Sequence, residues 1–237
     1  MNGVSKKGIQ IIPLILVLSF AGCGAPEPNE TSLPETPSPV WIKLPEPRFK
    51  SDVSLEETLL QRRSVREYAN VDLTLEEASQ LLWAAQGVTA EWGGRTAPSA
   101  GALYPLEAYL VVGDVENLAP GVYKYKPEGH KLAKVKDEDV REELAKAALE
   151  QAYVKEGAID IVIAAIYERT TKKYGNRGIR YVHMEAGHAA QNIYLQATAL
   201  NLGMVVIGAF YDDQVKKIMS MPENEEPLYV IPVGKKS

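Results

Sequence analysis

Cysteine is nearly missing from this chain: Cys23 is the only one in 237 residues. Without a second thiol there is no disulfide framework and no cysteine-ligated metal site. Long apolar runs are scarce as well. The longest, Ile9 to Phe20, covers about a dozen residues, short of the ~20 that a spanning helix needs. Histidine occurs three times. His183 and His188 stand five apart, which turns them to different faces of a helix, unlike an i, i+4 ligand pair; Glu185 and His188 share a face and are expected to make hydrogen bonds inside the fold, and His130 falls in a turn. No metal site is expected. The chain also lacks a G-x-x-x-x-G-K-[ST] loop, a G-x-G-x-x-G after a strand and a G-x-S-x-G elbow. That leaves nucleoside triphosphate binding, Rossmann-type dinucleotide binding and serine hydrolysis without support. Basic residues are outnumbered, 26 against 31 acidic, for a net charge of −5. Nucleic acid and a polybasic membrane patch are therefore excluded as expected partners.

The front of the chain has its own logic. Lys6 and Lys7 precede the short apolar run, which leads into small residues at Ala21, Gly22 and Cys23. That order predicts a signal peptide over 1–22. L-S-F-A-G-C resembles a bacterial or archaeal lipobox, with Phe20 in place of the usual leucine; the resemblance implies cleavage before Cys23 and lipidation of its thiol. An ordinary secretory signal with an incidental cysteine is the other reading. Ala25 to Pro47 holds seven of the fifteen prolines, so 23–47 is expected to be an extended tether. Loss of Lys6 and Lys7 with the leader takes the mature charge to about −7.

Residues 48–237 are enough for one well-filled domain. Val182, Ala186, Ala189, Ala190, Ile193, Ala197 and Leu200 recur at steps of three and four, one apolar stripe on a long central helix. Met184, Tyr194 and Leu195 lie off the stripe, so the helix is expected to be covered on more than one side. Asn201 and Gly203 end it, and Met204 to Phe210 reads as a short buried strand. Upstream, Ser54 with Glu57 and Thr74 with Glu77 form capping boxes that open two helices. Leu106 to Val112, Gly121 to Tyr125 and Lys131 to Val135 read as strands, the last two as a hairpin. Asp139 to Gln151 reads as an exposed charged helix, and Ala158 to Tyr167 as a central strand. A short helix from Asp212 to Met219 and a strand from Leu228 to Val233 follow. Helices and strands alternate without regular βαβ repetition, which predicts an α+β fold.

R-R-S-V-R, from Arg62 to Arg66, places three guanidiniums and a hydroxyl within five residues at a helix end. An arginine fork matches phosphate oxygens bidentately. The alternative is a solvated cationic turn paired with Glu56, Glu57 or Glu67. Glu91 to Arg95 is a glycine-rich, tryptophan-bearing loop, either a lid or a plain surface connection.

R-R-S-V-R, A-P-S-A-G-A-L-Y-P-L-E, R-G-I-R-Y-V-H-M-E-A-G-H-A-A-Q-N, G-M-V-V-I-G-A-F and the closing P-V-G together resemble the nitroreductase superfamily, from about Val53 to Lys235. The P-S-A-G-A-L-Y-P and E-A-G-H-A-A-Q-N pieces are similar to its SagB/ThcOx-type subgroup, which includes azoline dehydrogenases. The resemblance implies an FMN enzyme with an α+β nitroreductase-like fold: a mixed or antiparallel central sheet, flanking helices, one long central helix, and homodimers with two sites at the interface. It implies that Arg62, Arg63 and Ser64 contact the FMN phosphate and ribityl chain and that Arg66 faces the pyrimidine edge, where a fixed cation favours the reduced ring. Pro98, Ser99 and Gly101 would come from the partner subunit. Ile207, Gly208 and Ala209 would bring a backbone N–H to the reactive ring nitrogen, Gly208 leaving room for the ring. Many nitroreductases end in a basic residue that clamps the phosphate; here Lys235 or Lys236 takes that part, or the front arginines act alone. Lys173 and Tyr174 resemble the Lys-Tyr pair that removes a proton in azoline dehydrogenases; the alternative is an exposed loop.

The expected function is therefore two-electron transfer through bound FMN, on a small-molecule or peptide substrate, by an enzyme lipid-anchored outside the cytoplasm. NAD(P)H is a cytosolic pool, so electrons are expected from a substrate or a membrane redox partner. A lipoprotein that binds FMN or another planar ligand without turnover is the competing expectation.

Overall fold

The computed structural model describes residues 40–237; the expected signal segment, Cys23 and most of the expected tether lie outside the described residues. In chain order the first half comprises β1 (Trp41–Lys43), α1 (Leu55–Gln61), β2 (Tyr68–Ala69), α2 (Leu75–Gln86), β3 (Leu106–Val112), β4 (Gly121–Lys126) and β5 (Lys131–Lys136). The second half comprises α3 (Arg141–Ala147), α4 (Ala152–Glu156), β6 (Ile159–Ala165), α5 (Glu168–Tyr174), α6 (Arg177–Ala199), β7 (Leu202–Met204), α7 (Asp212–Ile218) and β8 (Glu226–Lys236). No helix among the described residues is long and apolar enough to cross a membrane.

The strands form one sheet in the order β1-β5-β4-β3-β6-β8-β2, with β7 also on β8. Every ladder between these strands is antiparallel. The apolar run at β6 is buried along its whole length between β3 and β8, as a doubly covered central strand must be. Alternation sorts its side chains: Ile159, Ile161 and Ile163 join the core beneath α2 and α6, whereas Val162 and Ala164 join the core beneath α3, α4 and α7. The result is an α+β sandwich with helices on both faces of the sheet.

Both capping boxes are formed: Ser54 and Thr74 accept from Glu57 N–H and Glu77 N–H, and the two glutamates reach back. The stripe on α6 is buried through Val182, Ala186, Ala189, Ala190, Ile193 and Ala197, and only Leu200 is half-exposed. Met184 is 53 % exposed, so in a single chain that flank of α6 is uncovered.

Several boundaries differ from expectation; β8, expected over Leu228 to Val233, runs from Glu226 to Lys236. Trp41–Lys43 lies in the proline-rich stretch yet pairs with β5, and Leu44 behind it is buried; the sheet therefore starts upstream of Arg48. Within Asp139 to Gln151 the helix is only α3, which stops at Ala147; positive φ at Leu149 and Glu150 precedes a separate α4 that starts beyond the expected range, at Ala152. The strand after α6 begins at Leu202 and stops at Met204; beyond it only Ile207 makes a bridge, to Val230. Asn201 takes the left-handed turn alone, at φ 56°. Gly203 is a strand residue whose added Cβ would lie 2.7 Å from Val65 Cγ1, so it is small because another segment passes over it.

Candidate functional site

The R-R-S-V-R segment leaves α1 in extended backbone at Arg62 and docks beside β7, where Val65 N–H donates to the Met204 carbonyl at 2.9 Å. That docking is what Gly203 permits. The segment is then fastened to α6 by Tyr194. The Arg62 guanidinium lies 4.9 Å from the centre of the Tyr194 ring. The Ser64 and Tyr194 hydroxyls are 2.9 Å apart, and Val206 N–H donates to the Tyr194 hydroxyl at 3.1 Å. Arg63 turns back instead and donates to the carbonyls of Leu60 and Arg62, capping the helix it follows. Arg66 faces the Tyr153 ring at 5.7 Å. Gln151, bonded to the Tyr153 hydroxyl, donates to the Ala209 carbonyl at 3.2 Å. Arg62, Ser64, Arg66 and the Val206–Ala209 backbone therefore belong to one neighbourhood.

Among the described residues none of Arg62, Arg63 and Arg66 is within ion-pair distance of a carboxylate. The expected alternative, a turn neutralised by Glu56, Glu57 or Glu67, is not what the fold makes. Glu57 is spent on the Ser54 cap. At Gly208 an added Cβ would meet only Tyr229 Cε1 at 3.9 Å. Protein packing does not require glycine there; free space lies over that backbone. Ile207 has its N–H and C=O paired with Val230, which fixes the strand end rigidly.

A second cluster forms around the P-S-A-G loop. The Ser99 hydroxyl accepts from Tyr104 N–H at 2.9 Å and closes a tight turn. Gly101, Ala102 and Tyr104 all have positive φ (65°, 54° and 45°), a conformation that costs of order 1 kcal/mol or more at each non-glycine position. An added Cβ on Gly101 would lie 2.7 Å from the Tyr174 hydroxyl and 2.9 Å from Lys173 Nζ. Lys173 and Tyr174 thus stand directly over the loop. They belong to the end of α5 rather than to an open connection, and Lys173 is exposed. Pro98 and Gly101 are exposed too.

Two polar residues of α6 lie against this loop, one of them bonded to it. Asn192 donates to the Thr96 carbonyl at 3.2 Å. Glu185 is 2 % exposed, and its Oε1 has no partner. Burial pushes its carboxyl up to about 7, against the Ser99 hydroxyl and the Arg95 guanidinium, which pull it down. His183 is instead bonded to the Tyr167 hydroxyl at 2.7 Å, and no metal-holding group of side chains exists among the described residues. Lys235 pairs with Glu77, whose other oxygen caps α2; it is engaged by the fold.

Along α6 the Lys173–Tyr174 end of the second cluster is set apart from Tyr194, which holds the first. Tyr174 stacks edge-on against Tyr181, at one end of α6, whereas Tyr194 marks the other. The 13-residue step between them is about 20 Å along a helix rising 1.5 Å per residue.

Comparison with known proteins follows the same span. The model of the family described as "Nitroreductase family" matches residues 59–235. The chain belongs to that family. A Methanocaldococcus jannaschii protein named for the nitroreductases is 54 % identical over 185 residues, covering 78 % of this chain and 92 % of that one. A nitroreductase-family crystal structure from Anabaena variabilis superposes with a TM-score of 0.75 at 31 % identity, over 85 % of this chain but only 42 % of that one. The "FMN reductase (NADPH)" of Bacillus subtilis is 26 % identical over 192 residues, covering 75 % of this chain and 64 % of that one. This nitroreductase-family chain is thus an oxidoreductase with the expected α+β fold.

The sequence assigns no site role to Tyr194, Tyr153 or Gln151; Glu185, expected to hydrogen-bond inside the fold, is buried with Oε1 unpaired, and His188 is exposed. Tyr194 had a signal: it lies off the apolar stripe, where a polar tip finds partners.

Proposed function

We propose that the chain is an FMN-dependent oxidoreductase whose two sites lie between two copies of itself. The observation that carries this reading is that Arg62 and Arg66, which have no carboxylate partner among the described residues, share a neighbourhood with the open backbone at Gly208. An anion with a flat ring fits that chemistry: Arg62 and Ser64 meet the phosphate end, and Arg66 puts positive charge beside the ring. Bound FMN would supply two-electron redox chemistry. Tyr194 holds Arg62 and Ser64 in place, and Gln151 and Tyr153 hold Ala209 and Arg66.

The second cluster, about 20 Å along α6, is brought to the same cleft by a partner subunit. Exposed Leu55, Leu59 and Leu60 on α1, with Ile179 and Met184 on α6, supply the apolar surface such a pair buries. Pro98, Ser99 and Gly101 then lie against the cofactor from the partner side. Lys173 and Tyr174 hold and move the proton that accompanies two-electron transfer, on a small-molecule or peptide substrate. The sequence further supports export as a lipoprotein anchored through Cys23, with electrons taken from a substrate or a membrane redox partner rather than from NAD(P)H.

The deciding measurement is the absorption spectrum and FMN content of the purified protein, followed by a screen of donors and acceptors. A colourless chain that stays colourless with added FMN ends this reading. A yellow protein that no donor–acceptor pair can cycle is a binder instead. Rapid bleaching by NADPH with turnover rules out the proposed electron source. Lys173→Ala should abolish substrate turnover while leaving reduction by dithionite intact.

A further inference from the structure

A cavity of about 450 Å³ lies beside the Tyr104 loop, between β3, the β4–β5 hairpin, β1 and Arg169 of α5; neither Lys173 nor Tyr174 lines it. No residue of the proposed flavin neighbourhood lines it. Its size is at the small end of the range for ligand pockets. Three aromatic side chains wall it: Trp41 from the edge strand, Tyr104 from the strained loop, and Tyr125. Leu106 and Ala108 add apolar surface.

Its charges are unbalanced. Arg95, Lys124, Lys126 and Arg169 face Glu107 and Glu128. Glu107 is already shared between Lys124 and Arg169, and Glu128 pairs with Arg95 at the rim. Among the described residues Lys126 has no acid partner; its ammonium stands 5.4 Å from the Trp41 ring centre. Arg95 stacks on Tyr104 at 4.6 Å. Two nitrogen donors of lining residues, Gln86 Nε2 and Arg95 Nε, are buried without any acceptor. An oxygen acceptor is what that corner lacks.

We propose that this cavity is a second ligand site, for a small planar aromatic carboxylate. The ring stacks among Trp41, Tyr104 and Tyr125, and the carboxylate faces Arg95 and Lys126. None of these contacts depends on the flavin reading.

The test is calorimetric titration of the full chain as purified with 2-naphthoate and, in parallel, with the neutral 2-naphthamide, while any flavin absorbance is recorded. The expected result is saturable binding of one naphthoate per chain, about tenfold weaker for the amide and about tenfold weaker in Lys126→Met and Arg95→Met, with the flavin band unchanged. Lys126 is exposed and makes no structural hydrogen bond, so Lys126→Met alone decides the outcome if Arg95→Met fails to fold. Absence of saturable heat, equal affinity for acid and amide, or undiminished affinity in the variants overturns the proposal. So does binding that shifts the flavin band, which would put the ligand on the coenzyme.

Discussion

Glu185→Gln tests whether α6 stores electrostatic strain beneath the P-S-A-G loop. The carboxyl is enclosed, its Oε1 has no partner, and its pKa is pushed from 4.5 to about 7 by burial. At 1.36 kcal/mol per unit that displacement, which already contains the pull of Ser99 and Arg95, corresponds to about 3 kcal/mol; solvent screening and relaxation around the ionised carboxylate reduce the expected effect to ~1–2 kcal/mol. The direction follows from proton counting. The unfolded carboxyl ionises near 4.5 and the folded one near 7, so across that window unfolding releases a proton and stability falls as pH rises, levelling off above the folded value. Glutamine has no proton to lose and removes the decline. Urea unfolding of both proteins at pH 5 and pH 8 measures it: the native chain should lose ~1–2 kcal/mol more than the variant between the two pH values. Equal losses would show that Glu185 is ionised in the folded state throughout, and the idea of stored strain would fail.

Other substitutions probe the two halves of the site and the sheet behind them. Tyr194→Phe leaves Val206 N–H and the Ser64 hydroxyl without a partner; it should cost ~1 kcal/mol in urea unfolding and weaken FMN binding several-fold by fluorescence titration. Gly203→Ala drives a methyl into Val65, displacing R-R-S-V-R, so stability should fall by ~1–3 kcal/mol and FMN affinity should fall with it. Asp160→Asn acts oppositely. The aspartate is fully buried with neither oxygen bonded and its pKa is driven well up by burial, so the amide should stabilise the chain, and more at pH 8 than at pH 5. A variant less stable at pH 8 than the native chain would count against that.

How much of this was legible in the sequence depended on whether the cause was local. Capping boxes, the α6 stripe and the almost wholly apolar β6 are set by residues a few positions apart, and each formed where its spacing put it. Trp41–Lys43 was hidden because prolines on both sides signal an extended tether, and its pairing partner lies some 90 residues downstream. Gly203 reads as a helix terminator beside Asn201, yet its smallness answers to Val65, which no local pattern reveals. Among the site residues, the arginines were visible as a cluster of one chemistry. Their freedom from carboxylates was not, since Glu56, Glu57 and Glu67 are adjacent in sequence and only the fold decides where they point. Glu185 and His188 share a helix face, which reads as hydrogen bonding inside the fold; Glu185 is buried but its Oε1 finds no partner, and His188 is exposed, because only the packing of other segments decides which residue of a face is covered.

The span of α6 makes the two-subunit site testable without knowing a substrate. If the arginine half of each site comes from one chain and the P-S-A-G half from the other, a chain carrying Arg62→Ala and a chain carrying Gly101→Val each fail to bind FMN alone. Gly101→Val is a strong lesion, because φ there is 65° and any Cβ collides with Tyr174 and Lys173. Unfolded together and refolded, the two chains pair at random, and about half the dimers are mixed. In each mixed dimer one site inherits both lesions and the other inherits none. FMN content should therefore rise from near zero to about a quarter of a mole per mole of chain. Were both halves supplied by the same chain, every site would keep one lesion and mixing would restore nothing. A preparation that gains no flavin, although mixed dimers are demonstrated by differently tagged chains, would refute the arrangement that joins the two ends of this helix across a subunit boundary.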